Sequence, residues 1–123
     1  MIDANIQTLL LVDDSRVARL SLMRQINSLP REFEILQAAS ADEAQTLMQE
    51  RQADVALIDF NMPGRDGLVL AAEFTESHPS MKMALVTANI QQPLVDRAEA
   101  LGMTFLAKPA NLDALARFLG VTI

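Results

Sequence analysis

The chain contains no cysteine, which excludes disulfides, thiol catalysis and thiolate metal sites. It has one histidine, His78, which stands beside Pro79 and reads as the solvated end of a helix. No stretch approaches the ~18 uninterrupted apolar residues of a membrane helix. Positive charge is in deficit: 10 Lys and Arg against 16 Asp and Glu, a formal charge of −6. That disfavours non-specific binding to nucleic acid or anionic lipid. The opening "MIDANIQTLLLVDD" has no basic segment ahead of its short apolar run and does not read as a secretory leader. Low-complexity tracts and repeats of about 20–50 residues are also missing. What remains is one soluble cytoplasmic domain. Its 123 residues suffice for one compact domain and not two, and with 50% of them hydrophobic a sizeable core can form.

Short apolar runs alternate with helically periodic stretches. "QTLLLV" (7–12) reads as a strand buried on both faces. Apolar residues then recur at Val17, Leu20, Leu22, Met23, Ile26 and Leu29, a helix from Ser15 that stops before Pro30. "FEILQA" (33–38) alternates and reads as a strand nearer an edge. Ser40 and Glu43 form a capping box ahead of Ala44, Leu47 and Met48. "DVALID" (54–59) is the most buried strand by composition. Gly67 opens a helix through Leu68, Leu70, Ala71 and Phe74. "MKMALVT" (81–87) and "MTFLA" (103–107) are the remaining strands. Between them Pro93 opens a helix that Gly102 closes, and a short helix through Leu112, Leu115, Phe118 and Leu119 follows. Five β-α units with short links imply a parallel sheet covered by helices on both faces. In such sheets the residues just after each strand line the binding crevice.

Those residues are Asp13 and Asp14, then Asp59, Thr87 and Lys108. Taken singly they have bland explanations. Asp14 or Ser15 caps a helix, and a lysine before proline is commonly a solvated loop residue. Together they place three carboxylates, a hydroxyl and an ammonium on one rim. Three nearby carboxylates repel one another, so raised pKa values or a bound cation must relieve them. An all-oxygen site suits Mg2+, held by one or two carboxylates and a backbone carbonyl. Such an ion and an ammonium can hold phosphoryl oxygens, and a carboxylate can act as the nucleophile.

The pieces "LLLVDDS", "ALIDFNMPGRDG", "ALVTA" and "FLAKP" occur in that order along the chain. In them the sequence resembles the receiver domain of bacterial two-component response regulators, of the chemotaxis-regulator-like kind, over essentially its whole length. The resemblance implies a flavodoxin-like three-layer (βα)5 fold with strand order 2-1-3-4-5. It makes Asp59 the phosphoacceptor. It makes Asp13 and Asp14 the acidic pair for Mg2+, with Asp14 the more direct ligand, and Asn61 a ligand through its backbone carbonyl. Thr87 and the Ala88 N–H are expected to bond phosphoryl oxygens, and Lys108 to pair with another. Lys108–Pro109 is expected to be a cis peptide. The third strand would thus end on a carboxylate because a phosphoryl group is accepted there, and Pro63, Gly64 and Gly67 turn the chain away from it.

In this family Thr87 and the aromatic three positions before the lysine form a switch. That aromatic is Phe105, which lacks a tyrosine's hydroxyl and reads equally well as ordinary core. Asn61 and Asn89 flank the site at positions that influence phosphoryl loss, and Met62 is expected to point outward. The lone His78 is no phosphohistidine, so the donor must come from outside: a sensor histidine kinase or a histidine phosphotransfer protein, the latter in a phosphorelay. The implied output is an unidentified downstream protein, with phosphorylation-linked homodimerisation a further implication. Residues 1–123 read as receiver alone, without an output domain. Competing readings are a phosphorylation-independent pseudo-receiver, an aspartate-nucleophile phosphatase and a flavin carrier. The first is opposed by the complete set of site residues. The second is opposed by Asn61 where an acid/base aspartate would stand, and the third by the two charges in "VDDSR".

Overall fold

The computed structural model describes residues 6–123. Five strands, β1 (Gln7–Val12), β2 (Phe33–Ala38), β3 (Val55–Asp59), β4 (Lys82–Thr87) and β5 (Thr104–Ala107), form one parallel sheet in the order β2-β1-β3-β4-β5. The connecting helices are α1 (Arg16–Asn27), α2 (Ala41–Glu50), α3 (Gly67–Ser77), α4 (Gln92–Ala100) and α5 (Leu112–Leu119). None of the described helices is long and apolar enough to cross a membrane.

The period-2 geometry of the strands divides the core in two. Leu10, Val12, Ala56, Ile58, Met83 and Leu85 point to the face covered by α2, α3 and α4, where they meet Met48, Leu70, Phe74 and Leu94. Their neighbours Leu9, Leu11, Val55, Leu57, Ala84 and Val86 point to the opposite face and meet Leu22 and Ile26 of α1 and Leu115 and Phe118 of α5. Because both faces are covered, every residue of β3 is buried. The edge strand β2 does not alternate cleanly: Ile35 and Leu36 are both half-buried.

Helix starts follow local chemistry. Ser15 caps α1 by accepting from the Ala18 N–H, and Ser40 caps α2 by accepting from the Glu43 N–H. The Glu43 carboxylate reaches back to the Ala39 N–H, one residue before the cap. Asp66 caps α3, its Oδ1 accepting from Leu68 and Val69 N–H, both at 2.9 Å.

Three expectations need correction. The first helix ends at Asn27, not near Leu29. Val17 and Leu20 share the apolar repeat but not the core, being 78% and 45% exposed. Met62 does not point outward; it is buried among the residues of the α2–α3–α4 face, because the loop after β3 folds back onto that core. His78, at the end of α3, is half-buried, edge-on to Phe74 and within 2.8 Å of the Ser77 hydroxyl.

The loop after β3 turns through Gly64, whose φ of +80° favours glycine. Gly67 answers a different demand. A Cβ there would lie 2.2 Å from the Asp59 carbonyl oxygen, while its N–H donates to the Phe60 carbonyl at 3.0 Å. Glycine lets α3 begin in contact with the backbone of Asp59. Gly67→Ala should therefore lower the unfolding free energy by about 1–3 kcal/mol, the cost of forced overpacking. Urea denaturation of the two proteins measures it, and equal midpoints would contradict the close approach.

Candidate phosphoryl-acceptor site

The parallel register brings the polar residues to one edge. Val12 pairs with Ile58, Asp59 with Val86, and Thr87 with Ala107. Asp13, Asp59, Thr87 and Lys108 therefore emerge side by side at the carboxyl ends of β1, β3, β4 and β5. The Lys108 N–H donates to the Thr87 carbonyl at 2.9 Å, extending the β4–β5 ladder into the site. The Lys108–Pro109 peptide is cis, as expected.

Three of these groups are buried: Asp13 is 1% exposed, Asp59 6% and Thr87 1%. Lys108 Nζ lies 2.8 Å from Asp13 Oδ2 and 3.1 Å from Asp59 Oδ1, bridging the two carboxylates. Asp14 is exposed, yet one carboxylate oxygen from each of Asp13, Asp14 and Asp59 lies within 4.8 Å of the others. The Thr87 hydroxyl accepts from the Asn89 N–H at 3.1 Å and keeps its own proton free to donate. Ala88 is exposed beside it, and Phe105 is half-buried against the α2–α3–α4 core. Asp13, Asp14, Asp59 and Lys108 thus converge, with Thr87 beside them at the end of β4, while Asn61 is exposed in the loop after β3.

Electrostatics divides the strain unequally. Burial pushes the Asp59 carboxyl above its usual range. The Asp13 charge pushes it further, Lys108 pulls it back by charge and hydrogen bond, and Asp14 adds a smaller push. Lys108 is held above the usual lysine range: burial alone would lower it, but Asp13 and Asp59 more than offset that. The lysine is therefore charged at neutral pH, and burial together with the Asp13 charge keeps the Asp59 carboxyl raised in spite of it.

Two structural supports were not legible as such in the sequence. Arg65 reaches Asp42 and Gln45 of α2 and Glu73 of α3, fastening the loop that carries Asn61. Arg19 donates to the Asp13 carbonyl. A cap signal for Asp66 does stand in "GRDG", an aspartate just before a helix.

The direction of the Asp59 shift sets a pH dependence. With a folded pKa above the unfolded one, the ionised group costs stability at neutral pH. That cost fades as pH falls through the raised folded value toward the ordinary carboxylate range. Metal-free Asp59→Asn should melt higher than the wild type at about pH 7, and the gap should close toward about pH 4. A gap that stays constant over that range, or a lower-melting variant at neutral pH, would contradict the assignment of the strain to Asp59.

Comparison with known proteins agrees with this geometry. The family model of the response regulator receiver domain matches residues 9–119. Over 112 residues the chain is 32% identical to the positive alginate biosynthesis regulatory protein of Pseudomonas aeruginosa, covering 89% of this chain and 44% of that protein. Over 109 residues it is 31% identical to the sensor protein EvgS of Escherichia coli, covering 88% of this chain and 9% of that protein. The chain thus spans less than half the length of either relative. Among solved structures, chemotaxis protein CheY4 of Vibrio cholerae superposes with a TM-score of 0.81 at 26% identity, covering 94% of this chain and 97% of that one. The signal receiver domain of an HD domain-containing protein from Pseudomonas fluorescens gives 0.86 at 25% identity, covering 98% and 88%. With the family model spanning nearly all of it and an acidic cluster at the edge where the family is phosphorylated, the chain belongs to the response regulator receiver domains.

Proposed function

We propose that Asp59 accepts a phosphoryl group in a Mg2+-dependent transfer from a phosphohistidine, and that the new charge switches a protein-interaction surface. The observation that carries this reading is the buried Asp59 carboxylate, which shares Lys108 with Asp13 inside a cluster of three carboxylates. The all-oxygen donor set fits a hard divalent cation. Asp13, Asp14, Asp59 and the Asn61 carbonyl would hold Mg2+, which when bound supplies positive charge against the phosphoryl oxygens.

In the transfer, a carboxylate oxygen of Asp59 attacks phosphorus. A P–O bond forms as the P–N bond to the donor imidazole breaks, and the imidazole leaves with the electron pair and takes up a proton. Lys108 leaves its carboxylate bridge to pair with a phosphoryl oxygen. The Thr87 hydroxyl and the Ala88 N–H donate to others. In a separate hydrolysis, water attacks phosphorus as the P–O bond to Asp59 breaks, releasing phosphate and regenerating the carboxylate, with Asn61 and Asn89 flanking the incoming water. If Thr87 turns to the phosphoryl group it gives up the hydrogen bond from Asn89, freeing the loop before α4, and Phe105 settles into the space behind it.

The donor in this reading is a sensor histidine kinase or a histidine phosphotransfer protein. Two observations support that. Sensor kinases are among the relatives, and the exposed Val17 and Leu20 give α1 an apolar surface immediately after the acidic pair. A downstream protein, or a second copy of the chain, would read the altered surface.

Intact mass after incubation with acetyl phosphate tests the chemistry. One phosphoryl group should add when Mg2+ is present and none when it is chelated. Thr87→Ala and Lys108→Ala should both reduce the yield strongly. Failure of the folded wild-type protein to gain mass would contradict the proposal and favour a phosphorylation-independent interaction module.

A further inference from the structure

Arg19 lies one turn into α1. Helical side chains lean toward the N-terminus of their helix, so from this position the guanidinium returns over the loop between β1 and α1. Its Nη1 donates to the Asp13 carbonyl at 2.6 Å, and its Nε donates to Gln37 Oε1, on the edge strand β2, at 3.1 Å.

That carbonyl belongs to the peptide joining Asp13 to Asp14. The β1 ladders end at Val12, so beyond them this peptide is held by other means. The Asp13 N–H donates to the Ala38 carbonyl at 3.1 Å. Asp13 Oδ1 accepts from the Ser15 N–H at 2.9 Å, and Oδ2 from Lys108. Arg19 fills the remaining position, so every polar atom of Asp13 has a partner. Asp14 differs: among the described residues nothing hydrogen-bonds its carboxylate. The direction in which Asp14 presents itself is therefore set by the peptide before it, which is the peptide Arg19 braces.

We propose that Arg19 is a positioning residue for the Mg2+ site, bracing the Asp13–Asp14 peptide against β2 so that the Asp14 carboxylate faces the other two. This rests on the metal reading above. Arg19 touches neither the carboxylates nor the phosphoryl position. It also has no part among the charges that shift Asp59, so its action is geometric. A guanidinium suits the task because its fixed fork serves two acceptors at once, whereas an ammonium carries the same charge without that fork.

Calorimetric titration with Mg2+ of the wild type, Arg19→Ala, Arg19→Lys and Gln37→Ala tests this, with thermal melts to confirm folding. Arg19→Ala should bind Mg2+ about tenfold more weakly, the low end for loss of a group that orients a metal ligand. Arg19→Lys should recover only a minor part of the loss. Gln37→Ala, which removes the far anchor from an exposed strand edge, should weaken binding by a smaller factor. Without metal, amide hydrogen exchange at residues 13–15 should quicken in Arg19→Ala while the melting midpoint moves little. Wild-type affinity in Arg19→Ala would overturn the inference, and so would full recovery in Arg19→Lys, which would make charge the cause. A wild type that binds no Mg2+ would overturn the metal reading itself and this inference with it.

Discussion

The bridge from Lys108 to Asp13 and Asp59 is the interaction on which the rest of the site depends. Two carboxylates buried side by side without a cation would be expelled or protonated. The ammonium lies between the two carboxylates and limits the rise in the Asp59 pKa without cancelling it. The arrangement is thus held together but not relaxed. A buried, partly compensated carboxylate at a strand end is suited to take on a different partner, which is what the proposed phosphoryl transfer asks of it.

The parallel sheet makes that bridge possible. Residues 95 positions apart, Asp13 and Lys108, meet because β1, β3, β4 and β5 end in register along one edge. Asp13, Asp59, Thr87 and Lys108 each sit at the first position beyond a strand or at its last, where the ladder fixes the backbone and the side chain is released from the sheet. Gly67 extends the same logic to the third helix, whose first residue lies against the Asp59 carbonyl. The scaffold supplies rigidity at Asp13, Asp59 and Lys108. Asn61 and Asn89 stand in the loops after β3 and β4, which Arg65 and the Thr87 hydroxyl tie to the scaffold.

Most of this was legible in the sequence because parallel strands buried on both faces appear as continuous apolar runs. "QTLLLV" and "FEILQA" coincide with β1 and β2 residue for residue, and the convergence of Asp13, Asp14, Asp59, Thr87 and Lys108 follows from the β-α alternation. What failed did so for local reasons. Helical periodicity says that an apolar face exists, not where it stops. Val17 and Leu20 fit the repeat, yet α1 buries Leu22 and Ile26 instead. Met62 stands in a polar turn sequence between Asn61 and Pro63, and only the loop's return to the core buries it. Arg19 carries no motif of its own; its contact with Asp13 exists only once the helix folds back over the strand end.

The proposed transfer puts the phosphoryl group on Asp59 and not on Asp13 or Asp14. Borohydride reduction of the acetyl phosphate-treated protein, followed by peptide mass spectrometry, addresses it directly, because reduction of an aspartyl phosphate leaves homoserine in place of aspartate. Homoserine is expected in place of Asp59 alone, and only when Mg2+ was present during treatment. Homoserine in place of Asp13 or Asp14, or phosphate retained on a serine or threonine, would contradict it.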